Sequence, residues 1–178
     1  MKVTDLMTKA VSMELIGRTL KGDREAFGDL IVMHQEYLYK LAYIYTKNEQ
    51  DALDAVQECA MRAMVSMDKL RNPQYFKTWI TRIMINSIYQ AKKKGRDDAL
   101  FCECMEAAPE PPVSIEEKAD LYDAIDLLPP AYKTVVILQY FQGMKINDIA
   151  QVMDIPAGSV KAYLFRAKAA LKNQLDRD

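Results

Sequence analysis

The chain has 178 residues, 50% hydrophobic and 28% charged, the composition of an ordinary globular protein with one domain or two small ones. Seven prolines and six glycines are too few for a fibrous or long disordered chain, and no apolar run reaches the roughly 18 residues of a membrane span, nor does a lysine-then-apolar leader open the sequence. Three cysteines, an odd number, argue against a secreted disulfide framework, and a net charge of −1 excludes nucleic acid only if basic and acidic residues are evenly mixed, which they are not.

Residues 1–22 read as an N-terminal extension and lead-in. Asp23 then has the position of an N-cap, followed by Phe27, Leu30, Ile31, Leu38, Leu41 and Tyr45 at helical spacing. His34, the sole histidine, falls on or beside that stripe. With no second His it reads as a partly buried, hydrogen-bonded side chain rather than a ligand or acid-base group. Asn48, with Asp51 three residues on, caps a second helix whose Ala52, Val56, Cys59, Ala60, Ala63 and Met67 point inward. Asp51, Asp54 and Glu58 fall at i, i+3 and i+7, a carboxylate stripe expected opposite the apolar face. A hard-cation site usually needs a converging loop, so the stripe is either a solvated face or a docking surface for a partner's basic helix, with Gln57 between its members.

Asn72-Pro73 opens a third helix with Phe76, Ile80, Ile83 and Ile88 near one face. From Lys69 to Arg96 the chain carries Lys69, Arg71, Lys77, Arg82, Lys92, Lys93, Lys94 and Arg96 and no acid, interleaved with Tyr75, Phe76, Trp79 and Tyr89. That pattern suits a phosphate-tracking groove with stacking rings, or equally an aromatic core stripe with a solvated basic face.

Residues 97–126 reverse the balance, ten acids against one base, and over 97–113 the periodicity fails around Pro109, Pro111 and Pro112. A linker is expected there. Cys102-Glu103-Cys104 lacks the C-x₂₋₄-C spacing of a structural zinc site, so these and Cys59 read as free thiols. Ser114 with Glu117 forms a capping-box pattern before Leu121, Ile125 and Leu128. After Pro129-Pro130 an apolar helix runs through Phe141 and breaks at Gly143. A short helix covers Ile146–Met153, a turn Asp154–Gly158, and a last helix about Ser159 to Leu175, with Val160, Leu164, Ala167 and Leu171 inward. Two helices around such a turn, the second exposing Lys161, Arg166 and Lys168, fit a DNA-binding helix-turn-helix. Strand alternation, a phosphate-cradling glycine loop and a nucleophile elbow are all missing, so the chain is expected to be all-α, without cofactor or metal, and not an enzyme.

Two blocks resemble a known family. Asp51-Ala-Leu-Asp54-Ala-Val-Gln57-Glu58 with Phe76-Lys-Thr-Trp79-Ile-Thr-Arg82-Ile-Met-Ile-Asn86 is similar to region 2 of the extracytoplasmic-function sigma factors of the sigma-70 family. Leu128-Pro-Pro-Ala-Tyr132-Lys133, Tyr140-Phe-Gln-Gly143, Asp148-Ile-Ala150 and Ile155-Pro-Ala-Gly-Ser159-Val-Lys161 resemble their region 4. The resemblance implies two helical domains, region 2 over 23–96 and region 4 over 114–178, joined by the acidic linker. It implies a bacterial initiation factor that binds core RNA polymerase and reads promoter DNA. Asp51, Asp54, Gln57 and Glu58 would dock on the coiled coil of the largest polymerase subunit. Asn72, Lys77, Arg82, Asn86, Lys92, Lys93 and Lys94 would engage the −10 element. Ser159, Lys161, Ala162, Tyr163, Phe165 and Arg166 would enter the major groove at the −35 element, with Lys168 and Lys172 on phosphate there, and Trp79 would be a core anchor. A membrane-tethered anti-sigma factor is the further partner the family implies, with a stress or cell-envelope regulon. The pattern is broken by Leu53 in place of an acid, Lys145 in place of a capping Ser or Thr, Ala162 in place of Ser and Tyr163 in place of Arg. The competing readings are a stand-alone helix-turn-helix regulator, for which no dimerising heptad is present, and a helical protein-binding adaptor, which leaves the acid-free stretch unexplained.

Overall fold

The computed structural model describes residues 3–93 and 121–175; the expected linker, the Ser114–Glu117 capping box, Cys102, Cys104, Lys94 and Arg96 lie outside them. The chain divides into two compact units, Met1–Arg96 and Asp97–Asp178, and all regular structure among the described residues is helical.

The first unit holds α1 (Val3–Leu20), α2 (Arg24–Thr46), α3 (Glu49–Val65) and α4 (Phe76–Lys93). Its helix starts are fixed by side chains: the Asp23 carboxylate accepts from the Ala26 amide at 3.0 Å and the Asn48 carboxamide oxygen from the Asp51 amide at 3.0 Å, which satisfies amides that no helical carbonyl can reach. Leu30, Leu38, Leu41, Ile80, Met84 and Ile88 form the centre of the core. Cys59 is buried among them, its thiol directed at the Ile80 carbonyl at 3.8 Å and pushed up to about 12 by burial, so it stays protonated and unreactive at neutral pH. His34 is half-buried, its Nδ1 3.0 Å from the Leu30 carbonyl and its ring edge-on to Phe76.

The lead-in differs from expectation: it is the 18-residue helix α1, packed on α2 with Leu15 and Ile16 buried. From Ala10 onward its apolar residues do not form one stripe, since Val11 and Leu20 are exposed. At Asn72-Pro73 the chain makes a 3₁₀ turn, Pro73–Tyr75, before α4 begins. Met84 and Ile85 take core positions while Ile83 is only half-buried.

The second unit holds α5 (Leu121–Asp126), α6 (Pro130–Val136), α7 (Ile146–Met153) and α8 (Ala157–Leu175). Every residue from Lys133 to Leu138 is buried, as suits a helix covered on all sides. Lys133 reaches its charge out to Asp126, Nζ to Oδ1 2.5 Å. The helix expected through Phe141 changes at Ile137 into a π-turn ending at Phe141, where the Gln142 amide donates to the Ile137 carbonyl and the Met144 amide to the Leu138 carbonyl. Gly143, with φ of +62°, then reverses the chain, a conformation that carries little steric cost only for glycine. The helix-turn-helix turn also differs from expectation: Asp154 takes the left-handed conformation (φ 59°), whereas Gly158 lies inside α8, which starts at Ala157.

Candidate functional site

Three exposed helical faces carry the residues singled out by the sequence. The first belongs to α3. Asn48 caps it and Ala52, Ala55, Val56, Cys59 and Ala63 bury its inner side. The carboxylate stripe does not stand opposite that buried side. Ala55 follows Asp51 by one turn and is itself buried, so the acids border the core. Asp51, Asp54 and Glu58 line a groove of about 540 Å³ closed on its far side by Ser87, Ile88 and Ala91 of α4. Arg62 spans its end, Nε to Glu58 at 2.5 Å with a second guanidinium nitrogen donating to the Gln90 carboxamide. Gln57 lies outside the groove, exposed, on a face shared with Leu53, Met61 and Met64. The structure therefore brings three of the four expected docking residues together and sets the fourth beside an apolar strip.

The second face belongs to α4. Arg82 is exposed, and Asn86, one turn later, is half-buried; Trp79, one turn earlier, is half-buried with its ring 5.7 Å from Phe76. Lys77 does not join them. At 3.6 residues per turn it lies about 140° around the helix from Arg82, with its ammonium 4.4 Å from the centre of the Tyr37 ring. The Tyr37 hydroxyl is 2.6 Å from Thr81 Oγ1, and Thr81 donates to the Lys77 carbonyl, which locks that side of α4 to α2. Asn72 is exposed, but its side-chain oxygen accepts from the Gln74 amide at 3.0 Å. Lys92 and Lys93 end α4.

The third face belongs to α8. Val160, Leu164 and Ala167 are buried, leaving Lys161, Ala162, Phe165, Arg166 and Lys168 exposed on a helix with no acidic residue. Phe165 is 76% exposed, which is unusual for a phenyl ring. Ser159 is half-buried, and so is Tyr163, whose ring packs 5.4 Å from that of Tyr132. The Lys168 ammonium lies 5.5 Å from the centre of the Tyr140 ring. Sequence spacing left out Tyr132 and Tyr140 as supports of α8, because ring pairing between helices leaves no local pattern. Lys145 precedes α7 and makes no side-chain cap.

Comparison with known proteins bears on what these faces do. The sigma-70 region 2 family model matches residues 30–97 and the sigma-70 region 4 model residues 118–171. The RNA polymerase sigma factor SigV of Bacillus subtilis is 32% identical over 149 residues, covering 83% of this chain and 90% of that protein. The extracytoplasmic-function RNA polymerase sigma factor SigW of the same organism is 31% identical over 176 residues, covering 90% and 94%. The chain belongs to the extracytoplasmic-function sigma factors. As such it is an alternative sigma factor that directs transcription initiation by RNA polymerase, a non-catalytic role. Two solved structures share the fold at 22% identity: CnrH in complex with the cytosolic domain of CnrY (TM-score 0.69, 94% of this chain and 99% of that one), and RpoE of Bartonella quintana in complex with the anti-sigma factor NepR (TM-score 0.63, 85% and 98%). No described helix of this sigma factor is long and apolar enough to cross a membrane.

Proposed function

We propose that this sigma factor docks on the coiled coil of the largest polymerase subunit through Asp51, Asp54, Gln57 and Glu58. The α4 face with Arg82 and Asn86, continued by Lys92, Lys93 and Lys94, engages the −10 element, and α8 reads the −35 element. The observation that carries the reading is the outward face of α8, where Lys161, Phe165 and Lys168 lie within about 60° of one another on a helix with no carboxylate, with Arg166 exposed further round it. Lys or Arg suits guanine O6 and N7, and a phenyl ring suits the thymine methyl, each good bidentate pair supplying about 1–3 kcal/mol of discrimination. Lys168, held near Tyr140, suits phosphate, which positions without specifying. On the −10 side Lys77 and Asn72 serve as supports, one turned toward α2 and one capping the turn before α4, so Arg82 and Asn86 carry the DNA contact.

Regions 2 and 4 are assigned to 23–96 and 114–178 with the acidic stretch 97–113 as linker. That stretch and the overall charge of −1 weaken promoter binding by the free protein, because phosphate contacts supply most non-specific affinity. Polymerase fixes both units on one promoter, so that binding of one element raises the effective concentration of the other. A membrane-tethered anti-sigma factor holds the protein at the cytoplasmic side until a stress or cell-envelope signal releases it; the complex of the sigma factor RpoE with the anti-sigma factor NepR supports that partner class.

The test is Glu58→Lys, a charge reversal on α3 at a half-exposed position paired with Arg62. It is expected to abolish comigration with core polymerase on gel filtration at physiological salt while leaving the helical content unchanged. Comigration at the wild-type level would overturn the docking assignment.

A further inference from the structure

Gln57 stands in a lane of exposed apolar side chains on α3. Successive helical residues turn by about 100°, which puts Leu53, Gln57, Met61 and Met64 within about 80° of one another, with Asp54 and Glu58 along one edge. Met61 is 66% exposed and Met64 43%, and Leu53, where the family pattern has an acid, is exposed with them. Of the other methionines whose burial is described, Met67, Met84, Met144 and Met153 are buried, and Met13 and Met33 are half-buried. The two exposed methionines are therefore both on α3, one and two turns beyond Gln57. A thioether is a soft apolar group until it is oxidised, when it becomes a polar sulfoxide that disrupts interfaces built on methionine. Access decides which thioethers a dissolved oxidant reaches first, and here access selects the pair beside the docking residues.

We propose that Met61 and Met64 are oxidation sites through which peroxide uncouples this sigma factor from core polymerase. Hydrogen peroxide transfers one oxygen atom to the thioether sulfur, which is oxidised to the sulfoxide while the peroxide is reduced to water; no carbon–sulfur bond breaks. A partner surface that meets Gln57 also covers the side chains one and two turns along the same lane, so the unoxidised pair leaves water on docking and adds apolar burial to the contact. The sulfoxide oxygen is a strong acceptor that must give up its water on docking, and burying it without a donor weakens the complex about tenfold or more for each sulfoxide. A thiol-dependent sulfoxide reductase reverses the step: two thiols become a disulfide, the oxygen leaves as water and the thioether is restored. The core methionines, being covered, stay reduced, so the switch acts on docking and not on the fold. The inference rests on the docking reading above, which supplies the partner.

The test oxidises the full chain to partial conversion with hydrogen peroxide, removes the peroxide with catalase, adds a limiting amount of core polymerase and separates bound from free chain by gel filtration. Peptide mass spectrometry then reads the sulfoxide content at each methionine in both fractions. Met61 and Met64 are expected to convert ahead of Met67, Met84, Met144 and Met153. The bound fraction should be depleted of Met61 and Met64 sulfoxide by about tenfold relative to the free one, with no depletion of Met13 or Met33 sulfoxide. The free fraction should keep its helical content and return to the bound pool after treatment with the reductase and a dithiol. The affinity of M61L/M64L, whatever its starting value, should be insensitive to the same peroxide treatment. Equal sulfoxide at Met61 and Met64 in the two fractions, loss of helical content in the free fraction, or an M61L/M64L chain that loses affinity on treatment as the unaltered chain does would overturn the proposal and leave docking standing. Failure of the untreated chain to comigrate with core polymerase would instead refute the docking reading, and this proposal with it.

Discussion

The two units present charged helices by different means. In the first, long helices of 23, 17 and 18 residues (α2, α3, α4) are started by side-chain caps or a capped 3₁₀ turn, from Asp23, Asn48 and Asn72. In the second, α6 and α7 have 7 and 8 residues, and Pro129 and Lys145 at their N-caps make no side-chain bond. Their ends are set by backbone geometry instead, the π-turn, Gly143 and left-handed Asp154. The first unit thus starts its acidic helix with a local cap, while the second packs α8 on α6, which is buried from Lys133 onward. Helices as short as α6 and α7 are marginal on their own in water, so they should owe their placement to contacts, whereas α3 is also held by its capped end.

Breaking the contact side of that comparison should have the largest effect. Lys133 is 10% exposed as a side chain and Asp126 32%. Removing one partner of a buried pair typically costs about 3–5 kcal/mol, and the partial exposure of Asp126 lowers this to about 2 kcal/mol for Lys133→Met. Hydrogen exchange should show the loss in α6 and α8 amides, with α2 to α4 unchanged. Equal loss in both units would show that they do not open separately.

Caps give the next effect. Asn48→Ala should destabilise the first unit by about 1 kcal/mol, and Lys145→Ser should stabilise the second by a similar amount, since a hydroxyl there accepts an amide now without a side-chain partner. Urea unfolding followed by exchange of α3 and α7 amides checks both. An unchanged α7 would mean that tertiary contacts, not the cap, limit its opening.

The smallest effect is a pH dependence confined to the first unit. Burial lowers the His34 pKa from 6.5, the nearby Lys77 ammonium adds to this, and the hydrogen bond to Leu30 opposes it. With the folded value below the unfolded one, the unfolded state takes up a proton first as pH falls. Stability is therefore intact above about 6.5 and declines as pH drops through and below it. His34→Gln should flatten that part of the profile; a wild-type slope in the variant would place the titration elsewhere.

Much of this was legible in residues with local meaning. Asp23 and Asn48 mark helix starts because a short oxygen-bearing side chain before a periodic run does one thing well, and Ile146–Met153 is bounded by Gly143, which can reverse the chain at positive φ, and Pro156, whose φ is fixed. The buried thiol of Cys59 and the half-buried His34 followed from their place on apolar stripes. What escaped was set by neighbours distant in sequence. In α1 the buried residues among those described from Ala10 onward are the adjacent pair Leu15 and Ile16, which shows no period. The π-turn at Ile137–Phe141 reads as plain helix because a buried apolar run carries no phase. Lys77 belongs by composition to the basic cluster and by angle to the Tyr37 side of α4. The carboxylate stripe was visible as a stripe, but that it borders a groove depends on where α4 lies.

The account stands most directly on run-off transcription from a bacterial genomic fragment pool with core polymerase, comparing the chain, Glu58→Lys and no addition. Discrete new start sites that appear only with the unaltered chain, each preceded by shared −35 and −10 sequences, are the predicted result. Starts of undiminished strength with Glu58→Lys, or no new starts together with no comigration of the chain with core polymerase, would contradict it.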